Sequence, residues 1–397
     1  MCGSTVTNVK VSSTSDLAIP VLHVCTVGIT ARAFLLPILQ RMRADGYAVW
    51  LACSDDADAR AAARHGISFF PVHISRNISP WDLLAVLRLY RFMRRMRFVI
   101  VNTHTSKGGF VGRLAAWLAR VPCIIYTAHG YTVHAAQPRL VQAFYRLLDN
   151  WIGRRTSLFI SVTERVKDAI IELGSARADN SICIYNGIDF ARFTPAALDP
   201  QHVAARRQQW DVDGNTVVIG CASRLVPDKG LDLLLDAFAQ VLPTAPDAIL
   251  VIAGEGPLRA LLQQQAEARG ISARVRFLGW QDDMPELMAC FDLFCLPTLR
   301  EGFGYVFLEA QAMGVPVVAT AIEPLTETMT HGETALLVAP HDTVQLVQAL
   351  TRLVQNSTER RRLGMNGAVR VRQLFDQRRQ LEQLAAVYRQ CVKSAER

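Results

Sequence analysis

The feature that most constrains this chain is a repeated grammar, in which short apolar runs of strand length alternate with longer amphipathic stretches. In the first half the runs fall near Val21–Val27, Ala48–Ala52, Phe98–Thr103, Cys123–Ala128, Leu158–Val162 and Ser181–Tyr185. Helical periodicity lies between them, at Ala33–Asp45, Pro80–Arg97, Gly109–Arg120, Leu140–Arg155 and Thr163–Leu173. The runs are rich in Val, Ile and Cys and do not alternate with polar residues, as parallel strands covered on both faces do not. The second half repeats the pattern, with runs near Thr216–Ala222, Ala248–Ala253, Val275–Gly279, Leu293–Pro297, Val315–Ala319 and Ala335–Val338. Its helices are expected at Leu231–Leu242, Pro257–Arg269, Met284–Cys290, Tyr305–Met313 and Val344–Gln355. Two successive βα arrays predict an α/β chain with two doubly wound parallel sheets and ligands in the cleft between them.

An irregular, Pro- and Ala-rich stretch from about Thr194 to Gly214 marks the break. The expected domains are therefore 16–195 and 196–376. A terminal helical segment, 377–397, is free to pack back on the first. The first fifteen residues read as a ragged leader rather than a secretory signal. No run of 18 apolar residues occurs, so no membrane-spanning helix is expected. Nine cysteines are scattered without a CxxC pair, which fits reduced thiols in a cytoplasmic protein better than disulfides or a metal site.

Charge is unevenly divided. Residues 1–190 hold 22 Lys and Arg against 12 Asp and Glu, whereas residues 191–397 hold 21 against 23. A basic half beside a near-neutral one suggests that the first half faces a polyanion, whether anionic lipid, a diphosphate-bearing acceptor or nucleic acid.

The most informative passage is Phe291–Thr320. An apolar strand, FDLFCLPT, runs into a loop, LREGFG, then a helix, YVFLEAQAMG, then a second strand, VPVVAT. Gly302 and Gly304 permit tight turns and close approach of a ligand. The helix after them offers free N–H groups and the positive end of its dipole, which suit a phosphate. Glu309 falls about one turn into that helix and Glu301 on the loop before it, so a carboxylate can reach past each end of a diphosphate. Carboxylates accept paired hydrogen bonds from vicinal hydroxyls, as on sugar and ribose. The diphosphate also needs cations, and Arg224 and Lys229 in GCASRLVPDKG are the best placed in sequence.

Glu301-Gly302-Phe303-Gly304 with Glu309, followed by A-x-A-x-G-x-P-V-V-A, resembles the E-x7-E signature of a large retaining glycosyltransferase family. That family, of the glycosyltransferase family 4 type, includes bacterial mannosyl- and N-acetylhexosaminyltransferases and sucrose synthase. The ASR-x4-KG segment, the AGEGP turn at Ala253–Pro257 and NGID-x3-F ending at Phe193 match further landmarks in order, from about Val21 onward. The resemblance implies a GT-B fold, two Rossmann-like domains with the donor held mainly by the second. It implies that Glu301 contacts the transferred sugar, Glu309 the ribose hydroxyls, and Arg224 and Lys229 the diphosphate, helped by backbone N–H groups at Gly302, Phe303 and Gly304. His129, in TAHG, matches a histidine that reaches the donor sugar. Gly28, in TVGIT, stands alone where relatives often have paired glycines, and is placed against phosphate or acceptor.

Asp56-Ala57-Asp58 and Asp211-Val212-Asp213 spell DxD, a metal-binding pattern of a different transferase fold. Both sit in polar connections where exposed acids are the ordinary reading. No metal and no resident cofactor is expected; the nucleotide-sugar is a co-substrate.

On the acceptor side, Ser79-Pro80-Trp81 to Phe98 reads as a helix with Arg88, Arg91, Arg94, Arg95 and Arg97. Leu83, Leu84, Leu87, Tyr90, Phe92 and Met93 give it apolar surface. Such a helix lies in a membrane interface or simply packs on the sheet with a solvated basic face. The segment Asn102–Gly109 resembles the acceptor-side loop of bacterial transferases that extend polyprenyl-diphosphate-linked sugars, and Lys107 with the next helix N-terminus suits a diphosphate. The neighbouring Thr127–Gln137 adds to that likeness. His104 and His134 are candidates for ligand contact or for structural roles.

Two rivals fit less well. A nucleotide-dependent oxidoreductase shares the βα grammar, but Gly254-x-Gly256 lacks the third glycine. A non-catalytic membrane- or nucleic-acid-binding protein fits the charge, yet no recognisable RNA- or DNA-binding motif occurs, so nucleic acid is not an expected partner. The expected activity is transfer of a hexose or N-acetylhexosamine from a UDP-sugar, with GDP-mannose as the alternative donor. A lipid-linked or free saccharide is the acceptor, at an anionic membrane surface on the cytoplasmic side.

Overall fold

The computed structural model describes residues 18–74, 79–130, 139–212 and 216–395. The leader, His134 with the rest of Tyr131–Gln137, and Asp213 lie outside the described residues. Two sheets form, and every described strand pair in them is parallel. The first contains β1 (Pro20–Val24), β2 (Ala48–Cys53), β3 (Ser68–Pro71), β4 (Ile100–His104), β5 (Cys123–Ala128), β6 (Leu158–Ser161) and β7 (Ser181–Cys183), in the order β3-β2-β1-β4-β5-β6-β7. The second contains β8 (Val218–Ala222), β9 (Ile249–Ala253), β10 (Val275–Gly279), β11 (Leu293–Leu296), β12 (Val317–Thr320) and β13 (Ala335–Val338), in the order β10-β9-β8-β11-β12-β13. In each sheet the chain turns back once, at β1/β4 and at β8/β11. Ligands of open α/β sheets collect at the carboxyl ends of the strands at such points.

Packing contacts divide the chain into two compact units, 1–126 with 388–397, and 127–387. In the first unit α1 (Gly28–Thr30) runs through a π-helical turn into α2 (Leu36–Ala44), followed by α3 (Ala57–Ala63), α4 (Trp81–Met96) and α5 (Ser106–Leu118). Ala85, Val86, Leu89 and Met93 of α4 join Leu22, Val24 and Val101 in a buried core. Asp82 starts α4 by accepting from the Ser79 N–H at 2.9 Å, and it pairs with Lys107 at the same distance.

The second unit carries α6 (Arg139–Gly153), α7 (Glu164–Glu172), α8 (Pro200–Gln208), α9 (Leu231–Val241), α10 (Arg259–Ala268), α11 (Met284–Ala289), α12 (Tyr305–Ala312), α13 (Leu325–Thr328), α14 (Thr343–Gln355) and α15 (Ser357–Leu374). α16 (Gln377–Ala395) begins here, and its last residues belong by contact to the first unit. Strands β8, β9, β11 and β12 are buried along their whole length, which explains their unbroken apolar sequences. Asn186-Gly187-Ile188 docks on the α15–α16 junction. Gln380 accepts from the Gly187 N–H and donates to Asn186, both at 3.0 Å, and a Cβ on Gly187 would stand 2.2 Å from Gln377 Cα.

Several elements differ from the sequence expectation. β3 and α3 add a fold edge where only connections were expected, and α8 occupies the supposedly irregular break. α15 is the largest addition. Its five arginines and two mid-helix glycines hide the periodicity, because Gly costs about 1 kcal/mol against Ala in a helix. The glycines serve close packing: a Cβ on Gly364 would stand 2.0 Å from the Gly314 carbonyl oxygen, just past α12. Among the described residues, no helix is long and apolar enough to cross a membrane.

Candidate active site

The loops after β8 and β11 flank the turn-back point of the six-stranded sheet, and all the second-unit candidates cluster around them. After β8 the chain passes Ser223 and Arg224, makes a tight turn over Pro227–Lys229, and enters α9 through Gly230. Gly230 takes φ +62°, and a Cβ there would meet the Pro297 carbonyl oxygen at 2.3 Å. That close approach brings the β11 loop against the turn. The Asp228 carbonyl then accepts from the Leu299 N–H at 2.8 Å and from the Thr298 hydroxyl at 3.1 Å.

Two ion pairs complete the clasp, Asp228 with Arg300 and Lys229 with Glu301. The first is exposed and contributes little. The second is different, since Lys229 and Glu301 side chains are only 12% and 13% exposed. Taking these charges out of water is costly unless they face each other, so each holds the other in place.

A third loop supports the first. Leu225 donates to the Glu255 carbonyl at 2.9 Å and Ser223 to Ala253 at 3.0 Å. Gly254, at φ +127°, lies so close to Ser223 that a Cβ would stand 1.8 Å from its carbonyl oxygen. Arg224 is thereby held with its side chain exposed, and among the described residues it makes no side-chain hydrogen bond or ion pair.

Gly304, at φ +84°, starts α12. Phe303 is buried against Tyr305 and Phe375, with ring centroids at 5.2 and 5.9 Å, so its side chain anchors the loop. Gly302 touches the backbone of His129, since a Cβ on it would stand 2.6 Å from that carbonyl oxygen. Burial pushes the His129 pKa down to about 4, so it is neutral at pH 7. Glu309, half-buried on α12, has its pKa pushed up to about 7 by burial, against a smaller downward pull from Arg192. Among the described residues its carboxylate has no hydrogen-bond partner. An acid kept half-protonated in this way lacks the donors that would stabilise its charge.

Gly28 stands in the first unit, after β1. Its N–H donates to Asp56 at 2.9 Å, and a Cβ would meet the same carboxylate at 1.9 Å. Close approach of Asp56 is therefore what requires glycine, and that amide is already engaged. Asp56 also caps α3 through the Ala59 N–H at 2.8 Å, while Asp58 pairs with Arg32 at 2.9 Å. These bonds give both acids of the first DxD triplet structural duties.

Sequence reasoning did not foresee the Asp228–Arg300 pair, the influence of Arg192 on Glu309, or a run of buried polar side chains at β1/β4. Residues 72 apart, such as Lys229 and Glu301, carry no joint signal in a single sequence.

Comparisons with known proteins bear on the family and the fold. The model of the glycosyl transferases group 1 family matches residues 203–370, and that of glycosyltransferase family 4 matches residues 33–192. An Escherichia coli UDP-Gal:alpha-D-GlcNAc-diphosphoundecaprenol alpha-1,3-galactosyltransferase is 28% identical over 297 residues, 73% of this chain and 75% of its own. A Corynebacterium glutamicum GDP-mannose-dependent monoacylated alpha-(1-6)-phosphatidylinositol monomannoside mannosyltransferase is 38% identical over 195 residues, 47% of this chain and 50% of its own. The crystal structure of Anabaena Alr3699/HepE in complex with UDP-glucose aligns with a TM-score of 0.80 and 26% identity, covering 94% of this chain and 100% of that one.

Proposed function

Because the chain belongs to the group 1, family 4-type glycosyltransferases of the GT-B fold, we propose that it moves a hexose or N-acetylhexosamine from a UDP-sugar, with retention of configuration, to a saccharide carried on polyprenyl diphosphate. The observation that carries this reading is the Lys229–Glu301 pair across the two loops at the β8/β11 turn-back point. The pair is a diphosphate ligand and a sugar ligand, each occupied by the other until donor arrives. Diphosphate draws the Lys229 ammonium, and Glu301 is then free to accept from sugar hydroxyls. As the bond from the sugar to the diphosphate breaks, its electron pair goes to the phosphate oxygen, where Lys229 and exposed Arg224 stabilise the charge. The acceptor hydroxyl attacks the same face and its proton passes to that oxygen. Neutral His129, beside Gly302, serves the donor sugar through hydrogen bonds rather than as a charge. No metal or resident cofactor takes part in this scheme.

The galactosyltransferase relative and the UDP-glucose complex favour a UDP-sugar and a lipid-linked acceptor, hence a place in cell-surface polysaccharide assembly. The mannosyltransferase relative favours GDP-mannose as the second reading. A panel of UDP-hexoses, UDP-N-acetylhexosamines and GDP-mannose, offered with a polyprenyl-diphosphate saccharide, decides between them. Transfer from a UDP-sugar with an unchanged anomeric coupling constant is expected. Transfer from GDP-mannose alone would replace the donor assignment, and an inverted product would remove the same-face step.

Glu309 makes donor binding depend on pH. Its carboxylate accepts two ribose hydroxyls only when ionised, and its pKa of about 7 lies above that of an ordinary glutamate. UDP affinity should therefore rise as pH rises through 7 and fall by up to about tenfold per unit below it. Glu309→Gln should flatten that profile at the weak-binding level, measured by calorimetric titration from pH 5.5 to 8.5. A wild-type profile with no inflection would remove the ribose role.

The first unit is proposed to rest on an anionic membrane surface at the cytoplasmic face. On the outer face of α4, Trp81 and Leu83 are 68% and 75% exposed and Leu84 and Leu87 are also exposed, all in the first two turns. Arg88, Arg91, Arg94 and Arg95 are exposed in the following turns, so the face is apolar at one end and basic at the other. Such a surface inserts its tip and lays its charges on headgroups. Leu83→Glu with Leu84→Glu should abolish co-sedimentation with vesicles containing phosphatidylglycerol, while UDP binding stays unchanged. Equal sedimentation of wild type and variant would rule out α4 as the contact.

A further inference from the structure

Four buried side chains form a line beneath the β1/β4 turn-back point of the seven-stranded sheet. They are His23 on β1, Asn102 and His104 on β4, and Tyr388 on α16. Asn102 Nδ2 donates to the Tyr388 hydroxyl oxygen at 2.8 Å. An amide nitrogen only donates, so the phenol accepts there and sends its own hydrogen elsewhere. His23 Nε2, at 3.2 Å, receives it. A neutral imidazole with Nε2 accepting holds its hydrogen on Nδ1, and His23 Nδ1 faces His104 Nε2 at 3.0 Å. His104 accepts in turn, and its remaining hydrogen is placed on Nδ1. The His104 and Tyr388 ring planes each lie within 9° of the His23 plane. Burial lowers the His23 pKa to about 3, so the central ring stays neutral at pH 7 and transmits one direction of donation.

His104 is the last residue of β4, and the next residue is unusual. Thr105 has φ +64° and ψ +159°, a backbone region that non-glycine residues rarely occupy. Its hydroxyl lies 2.7 Å from that of Thr26, in the loop after β1. Gly108 closes on the same place, since a Cβ there would meet Thr105 Oγ1 at 2.9 Å and the Cys25 carbonyl carbon at 3.1 Å. Strain of this kind persists where surrounding groups over-determine a conformation, and such positions cluster at ligand sites.

We propose that Tyr388 and His23 are positioning residues, which lock His104 as its Nδ1–H tautomer and so hold Thr105 and the first turn of α5 in the shape that receives the saccharide acceptor. Its kinetic consequence rests on the acceptor-side reading of that segment; its tautomeric consequence does not. Loss of the Tyr388 hydroxyl leaves His23 Nε2 without a donor. The central ring can then reverse, and His104 must donate where it had accepted.

The test is long-range ¹H–¹⁵N spectroscopy of the full chain labelled at histidine, paired with kinetics of Tyr388→Phe. In wild type, His23 and His104 should both be Nδ1-protonated at pH 7.5. In Tyr388→Phe their Nδ1 and Nε2 shifts should move toward averaged values. Acceptor KM should rise about five- to tenfold, the worth of one to two hydrogen bonds, with donor KM unchanged. Nε2-protonated His104 in wild type overturns the proposal, and does so even if the variant fails to fold. Unaltered acceptor kinetics in a variant with altered tautomers overturns the positioning role. Absence of any transfer in wild type, with the tautomers as stated, counts instead against the transferase substrate reading.

Discussion

Lys229→Ala is expected to lower turnover by about two to three orders of magnitude, the usual cost of deleting one preorganised group at a developing charge. The argument begins with the ligand-free pair. Lys229 is held by Glu301 in a nearly closed setting, so its ammonium is aimed before donor arrives. Alanine removes the charge and leaves Glu301 without its partner, which weakens UDP binding as well. Glu301→Gln separates the two effects. It frees Lys229 from a competing carboxylate, so UDP binding tightens severalfold while sugar transfer slows. Calorimetric UDP titration and initial rates measured on both variants check the pair of statements. Wild-type turnover in Lys229→Ala, or weaker UDP binding in Glu301→Gln, would overturn the partner exchange.

The second large effect is on the scaffold of the same loop. Gly254→Ala should destabilise the protein by about 3 kcal/mol or more and remove measurable UDP binding. An alanine Cβ would stand 1.8 Å from the Ser223 carbonyl oxygen at a residue with φ +127°, so backbone must move. The movement breaks the Ser223-to-Ala253 and Leu225-to-Glu255 bonds and displaces Arg224. Gly270→Ala is the matched control. It has φ +68° with nothing within 4 Å of a Cβ, so it carries strain without collision and costs about 1–2 kcal/mol. Urea unfolding with parallel UDP titration measures both. Equal losses in the two variants would mean that φ alone, and not the contact with Ser223, governs position 254.

The sheet strands were legible because most are short, apolar and covered on both faces, so each announces itself locally. β3 was not, since Ser68–Pro71 is an edge strand with exposed ends and closes on proline. α15 was hidden by glycines whose reasons, the Gly314 backbone for Gly364 and the Gln311 side chain for Gly367, lie some fifty residues earlier in the chain. The E-x7-E passage was legible for the opposite reason: its parts are neighbours in sequence, and one loop and one helix set their spacing. What it could not reveal was partnership. The Lys229–Glu301 pair and the His23–His104–Tyr388 line join segments far apart in sequence, and a lone Tyr in an amphipathic helix reads as packing. Burial likewise decides that Phe303 anchors and that Glu309 resists ionisation, and burial is a property of the finished fold.

The paired Lys229 and Glu301 also bear on a problem every such protein meets in a cell, where simple phosphates far outnumber sugar nucleotides. An inorganic phosphate can offer Lys229 a negative charge, but it has no hydroxyl rim with which to satisfy the carboxylate it dislodges. Occupation by phosphate thus strands a nearly buried anion, whereas a sugar nucleotide supplies a replacement for both members at once. Under the proposed partner exchange, the resting pair would act as a filter, discriminating by what a ligand can give the acid rather than by how strongly it attracts the base.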